Sequence, residues 1–172
     1  RRPYLYRVDL NTGRGRVAVA LSSHHEDVVL DAAGEPVAES VYNPAKREWA
    51  LNLRAGGSWR GVWAVEAPID SPSLVGMGRD GRSVVVSAER DAELGWQYYE
   101  VDQSGTWTRL NFQKKPNGLV FHPGTRALIG GAMTESEGVR PVWFQEEAAE
   151  RWATVAASFP DQQPQLADWS QD

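Results

Sequence analysis

Apolar and polar positions alternate along most of this chain in short runs, and Gly, Asn, Asp and Pro separate the runs. Alternation with a period of two puts apolar side chains on one face of an extended strand, and the punctuating residues supply the turns. Residues 4–10 read as a strand, followed by the turn Asn11-Thr12-Gly13 and a returning strand at 16–21. Residues 28–31 form a short apolar strand closed by Ala32-Ala33-Gly34. Strands at 36–42, 48–54 and 59–65 follow, with turns at Asn43-Pro44 and Gly56-Gly57. Consecutive antiparallel crossings with tight turns describe a meander.

The same order then returns. Residues 74–77, the turn Gly78-Arg79-Asp80-Gly81 and a strand at 83–88 open a second round, which continues through 96–101, a turn at 102–105 and 106–110. A third round has strands at 119–121, 126–130 and 139–144, its first turn being His122-Pro123-Gly124. The turn residues Gly34, Gly81 and Gly124 lie 47 and 43 residues apart. A second shared element is Tyr6-Arg7-Val8-Asp9 with Gly13, matched by Tyr99-Glu100-Val101-Asp102 with Gly105. Near the end the period changes. Ala148, Trp152, Val155, Ala156 and Phe159 recur at helical spacing, Glu146 and Glu147 suit a helix start, and Pro160 stops the run, so 146–159 reads as a helix. It is read as an insertion that replaces or covers an outer strand.

Units of about 45 residues with four strands each cannot bury both faces alone and must stack on one another. The expected fold is therefore all-β: a partial β-propeller of about three four-stranded antiparallel blades, with one helix near the C-terminus. The division is an outer hairpin of a preceding blade at 1–26, blades at 27–66, 71–111 and 117–160, and the start of a further blade at 164–172. A β-sandwich with even strand spacing is the alternative.

Composition narrows the function. The 172 residues carry a net charge of −5 with the charges scattered, and no Lys/Arg stripe forms a grip for phosphates, which argues against nucleic acid as a partner. The longest apolar runs are far too short to span a bilayer. The start at Arg1-Arg2-Pro3, without Met, leads us to expect a longer parent. The absence of cysteine removes disulfides, thiol nucleophiles and thiolate-bound metal, and suits cytoplasm or periplasm alike.

Catalytic chemistry finds little support in the residues. The nearest fragment to a Gly-x-Ser-x-Gly elbow is Gly56-Gly57-Ser58-Trp59-Arg60, which lacks the last glycine and leads into a strand, so Ser58 reads as a turn residue. His24 and His25, followed by Glu26 and Asp27, point to opposite sides of an extended segment and cannot easily converge on a metal. His122 reads as part of a turn. The pairs Glu146/Glu147 and Glu135/Glu137 read as a helix start and a solvated hairpin tip. Trp49, Trp63, Trp96, Trp107 and Trp143 lie in strand-like segments and read as packing. Trp59 with Arg60 follows a Gly-Gly-Ser turn, where an aromatic face beside a guanidinium offers a peptide contact; packing between blades is the plainer reading. No catalytic, cofactor-binding or metal residue is assigned.

Several segments together resemble the propeller domain of bacterial serine peptidases of the prolyl oligopeptidase family, of the dipeptidyl-peptidase and acylaminoacyl-peptidase kind. They are the runs 5–13, 31–38 and 70–78, together with Trp59-Arg60, Leu128-Ile129-Gly130 and the closing Phe159-Pro160 with Asp168-Trp169-Ser170. The resemblance implies a propeller that gates peptide access to an α/β-hydrolase domain of the same parent, with no hydrolysis by this chain alone. The competing expectation is an independent interaction propeller of the TolB-like or WD-repeat-like kind. A blade array cut from its ring also exposes sheet edges at both ends, which predicts self-association.

Overall fold

The computed structural model describes residues 2–112, 114–136, 138–160, 162 and 164. Thirteen strands follow in chain order: β1 (Tyr4–Val8), β2 (Gly15–Ala20), β3 (His25–Leu30), β4 (Pro36–Asn43), β5 (Glu48–Ala55), β6 (Ser58–Glu66), β7 (Ser73–Met77), β8 (Val84–Glu89), β9 (Trp96–Val101), β10 (Trp107–Arg109), β11 (Gly118–Phe121), β12 (Leu128–Glu135) and β13 (Gly138–Trp143). Among the described residues one helix, α1 (Glu146–Ala157), follows these strands. They form a hairpin β1–β2, four-stranded sheets β3–β6 and β7–β10, and a three-stranded sheet β11–β13. All pairings are antiparallel between sequence neighbours. The helix follows β13, where a fourth strand would stand, and packs on it through Trp152 against Trp143 at 6.2 Å between ring centroids. The expected opening strand at 164–172 falls almost wholly outside the described residues.

Local chemistry sets each turn. β5 and β6 are joined by Gly56 and Gly57 alone, with Ala55 paired to Ser58. Both glycines have positive φ, +55° and +83°, the left-handed backbone that a two-residue hairpin needs. Ser58 is thus a hairpin residue. Carboxylates fasten other turns: Asp31 accepts from the N–H groups of Ala33 and Glu35, Asp80 from those of Arg82 and Ser83, and Asp102 from those of Ser104 and Thr106. Gly34 and Gly81 take positive φ as a tight turn requires, but Gly124 does not. In that third turn Arg126 carries the positive φ of 58°, because its N–H closes on the His122 carbonyl one residue later than Gly81 closes on Gly78. The β1–β2 turn has the same longer closure, Gly13 to Asp9, and puts a glycine in the left-handed position.

Packing between sheets makes the core. The middle strand β8 is apolar on both faces and splits its burial: Val84 and Val86 join Trp49, Leu51 and Leu53 of the first four-stranded sheet, while Val85 joins Leu110 and Leu128 toward the third. A sheet covered on both faces needs such a continuous apolar strand. On the other side of this middle sheet, Phe121 lies against Gly76, where any Cβ would come within 2.7 Å of its ring. Arg79 spans the same seam, forked onto Glu100 at 2.7 and 3.1 Å and lying 5.0 Å from the Phe144 ring.

Candidate functional site

The first strand of each sheet is an edge strand, and β3, β7 and the end of β11 face a common cleft. Its walls are Val28, Val29, Leu30, Val75, Gly76, Met77 and Phe121, and it encloses about 300 Å³. His122, Pro123 and Arg126 complete the lining from the β11–β12 turn. The Nδ1 atom of His122 accepts from the N–H groups of Gly124 and Thr125, both at 3.1 Å, so the neutral ring carries its proton on Nε2. His122 therefore does in this turn what aspartate does in the others. Apolar walls with one imidazole and one guanidinium suit the non-covalent holding of an apolar segment with an anionic group; the lining contains no hydroxyl or thiol nucleophile.

The residues singled out from sequence lie elsewhere. Trp59 is half-buried, and its indole N–H donates to the Ala20 carbonyl of β2 at 3.0 Å, with the Arg54 guanidinium 5.3 Å from its ring. Arg60 is exposed and donates to the Gln103 carbonyl in the β9–β10 turn. The pair thus reaches two different neighbours of the first four-stranded sheet. His24 is exposed in a turn with φ +63°, and half-buried His25 opens β3. Among the described residues no three His, Asp or Glu side chains gather as a metal would require. Glu146 and Glu147 sit in the first turn of α1, and Glu147 pairs with Arg151 at 2.6 Å. Glu135 pairs with Arg140 at 2.7 Å; Glu137 lies outside the described residues.

Two features were not read from sequence. Glu39 of β4 is wholly buried, and its carboxylate accepts from the Ser22 N–H at 3.0 Å, the Ser22 hydroxyl, and the Asn52 amide at 3.0 Å. This binds the segment leaving β2 into the first four-stranded sheet. The second is an aromatic seam. Trp49, Trp63, Trp107 and Tyr99 make successive edge contacts at 5.8, 4.7 and 5.7 Å across the two four-stranded sheets. The Arg90 guanidinium sits 4.5, 5.8 and 6.0 Å from the Trp107, Trp63 and Tyr99 rings. Apolar spacing reveals that these aromatics are packed, but nothing local reveals that one cation caps three of them.

Electrostatics follow from these contacts. Burial works to raise the Asp80 carboxyl, but donation from the Ser83 and Arg82 N–H groups and the Ser83 hydroxyl outweighs it and holds the group below its ordinary 3.8. Asp102 is lowered by the Ser104 hydroxyl and by the Thr106 N–H, and Asp9 by the Asn11 and Thr12 N–H groups. Burial, with Asp27 beside it, pushes the Glu26 carboxyl up. The lowered carboxyls of Asp9, Asp80 and Asp102 all fasten turns. They do not prepare an acid–base pair.

Comparison with known proteins bears on the architecture. No family model matches the chain, and no curated protein matches it significantly. Among solved structures, TolB from Acinetobacter baumannii is similar over 83% of this chain and 38% of that one, with a TM-score of 0.50 and 16% identity. The fold is that of a partial β-propeller. A candidate 6-phosphogluconolactonase from Bacteroides fragilis is also similar, over 83% of this chain and 44% of that one, with a TM-score of 0.40 and 14% identity. The chain thus spans less than half the length of either, and at such identity with TolB the propeller architecture alone is shared. The sheets β3–β6 and β7–β10 are its four-stranded blades, and β11–β13 with α1 is a departure from that pattern.

Proposed function

We propose that this chain is a non-catalytic propeller segment that binds protein or peptide, with the central cleft as its contact surface. The supporting observation is the lining itself: three edge strands bring apolar walls, His122 and Arg126 together around open space without a nucleophile. An extended peptide with apolar side chains and a free terminal carboxylate matches that chemistry. Trp59 and Arg60, on β6 at the far edge of the sheet from the cleft, serve in this proposal as a separate peptide contact. The module works by itself in the manner of an interaction propeller. A second reading makes it the gate of a prolyl-oligopeptidase-type peptidase, supported by the order of the runs 5–13, 31–38 and 70–78. Under that reading the parent coding sequence continues into a Gly-x-Ser-x-Gly elbow, and its partner is that hydrolase domain.

Titration of the chain with short apolar peptides, carboxylate-ended and amidated, tests the binding proposal through the His122 ring resonances in NMR spectra. Saturable shifts with the carboxylate peptides, weakened in Arg126→Ala, are expected. Ring resonances unmoved by any of the peptides would sink the central-cleft assignment. Chromogenic peptide substrates are expected to stay intact in the same samples.

A further inference from the structure

The hairpin β1–β2 has an apolar face that the described chain leaves half exposed. Arg7 and Arg16 pair across the hairpin, and Arg7 reaches the Gly34 carbonyl of the first blade, so their side is turned inward. Side chains alternate along a strand, which turns Tyr6, Val8 and Val17 outward. The repeat shows what such a face meets. Tyr6 and Val8 correspond to Tyr99 and Val101 of β9, which pack with Trp49 and Leu51 of the first blade and are 7% and 0% exposed; Tyr6 and Val8 are 57% and 51% exposed. The other end of the row of sheets is open as well. In β11–β13 a Cβ on Gly131 would meet Phe112 and Pro116 at 3.0 Å, so that side lies toward the middle blade. The opposite side carries Val139, Pro141 and Trp143. Helix α1 covers only part of it and leaves a groove of about 200 Å³ beside Val139, Pro141, Trp152 and Ala156.

We propose that a second copy of this chain covers each face, joined head to tail: the β1–β2 face of one copy sits on the β13–α1 face of the next. Charge favours this occupant. The hairpin carries Arg2, Arg7, Arg14 and Arg16 against Asp9, whereas α1 carries Glu146, Glu147 and Glu150 against Arg151. Arg14, Arg16, Glu146 and Glu150 are exposed and join no ion pair among the described residues. A basic hairpin is drawn to an acidic helix and repelled by a second basic hairpin. The chemistry of the faces agrees, since an exposed tyrosine suits a groove walled by Trp152 and Pro141. A contact between unlike faces leaves one of each free, so assembly continues until a ring closes or a filament grows. The contact uses neither the central cleft nor the function proposed for it.

Sedimentation velocity on the full chain tests this. The mean mass is expected to climb past that of a dimer as concentration rises, with half-association on the order of 100 µM, as for a small transient contact. Two double variants separate the faces: Tyr6→Thr/Val8→Thr on the hairpin, and Val139→Thr/Val155→Thr at the other end. All four side chains are exposed, and threonine suits a strand, so each variant should keep the circular dichroism of the parent chain. Alone, each is expected to associate at least about tenfold more weakly through its lost apolar area. Mixed one to one, the variants should recover the affinity of the parent chain but stop at a dimer, because only one matched pair of faces remains. A parent chain that stays monomeric at about 500 µM, either variant associating as the parent does, or a mixture of the folded variants that stays monomeric would each overturn the proposal.

Discussion

Between the two four-stranded blades Trp49, Leu51, Leu53, Val84, Val86 and Val101 are all fully buried, whereas the hairpin β1–β2 leaves Tyr4, Tyr6, Val8 and Val17 about half exposed. The seam is held by apolar area. The hairpin is held largely by directional polar contacts: Arg7 donates to the Ala33 and Gly34 carbonyls and to Glu35, Trp59 donates to the Ala20 carbonyl, and Glu39 gathers Ser22. A two-stranded unit has too little apolar face to stand alone, so it depends on the contacts at its root. A blade covered on both sides is robust; a hairpin covered on one side depends on its attachments.

Breaking the seam should have the largest effect. Trp49→Ala empties a fully buried site in the aromatic stack and is expected to cost about 3–5 kcal/mol, read from urea unfolding. A loss below about 1 kcal/mol would mean that the blades are not held together there. Glu39→Ala comes next. It leaves the Ser22 and Asn52 donors without their acceptor and should cost about 2–3 kcal/mol. Its signature sharpens the comparison: amide exchange in β1 and β2 should accelerate while exchange in β8 stays slow. Uniform acceleration would show that hairpin and blades open together.

A smaller effect comes from acid. The folded Asp80 carboxyl is held below 3.8, so its stabilisation is complete above that value and drains away as pH falls through the lowered folded value. Asp80→Asn should cost about 1 kcal/mol at neutral pH and flatten the acid limb of the stability curve. An unchanged acid limb would refute the turn's contribution. Smallest is Arg7→Ala. The Arg7–Glu35 pair is exposed on both sides, and its loss should cost no more than about 0.5 kcal/mol, visible as hairpin exchange alone.

Much of this architecture could be read beforehand. The alternation of Trp49, Leu51 and Leu53 marked β5, and the Gly56-Gly57 pair marked its hairpin, because both depend on residues adjacent in the chain. The third turn was only partly legible. Gly124 stands where the repeat calls for a left-handed residue, yet the longer closure onto His122 passes that role to Arg126. The central cleft was less legible still. Its lining comes from three strands about 45 residues apart, and no one of them has a motif of its own.

Sequence alone therefore determined strands, turns, the repeat and the helix, since the period of side chains and the backbone angles of turns are local properties. Tertiary structure decided which faces meet: that Glu39 is buried and tied to Ser22, that Arg90 caps three rings, and that Val85 turns from its neighbours toward the third sheet. Those outcomes depend on which sheet packs against which, and burial is conferred by the neighbour that arrives rather than by the residue itself.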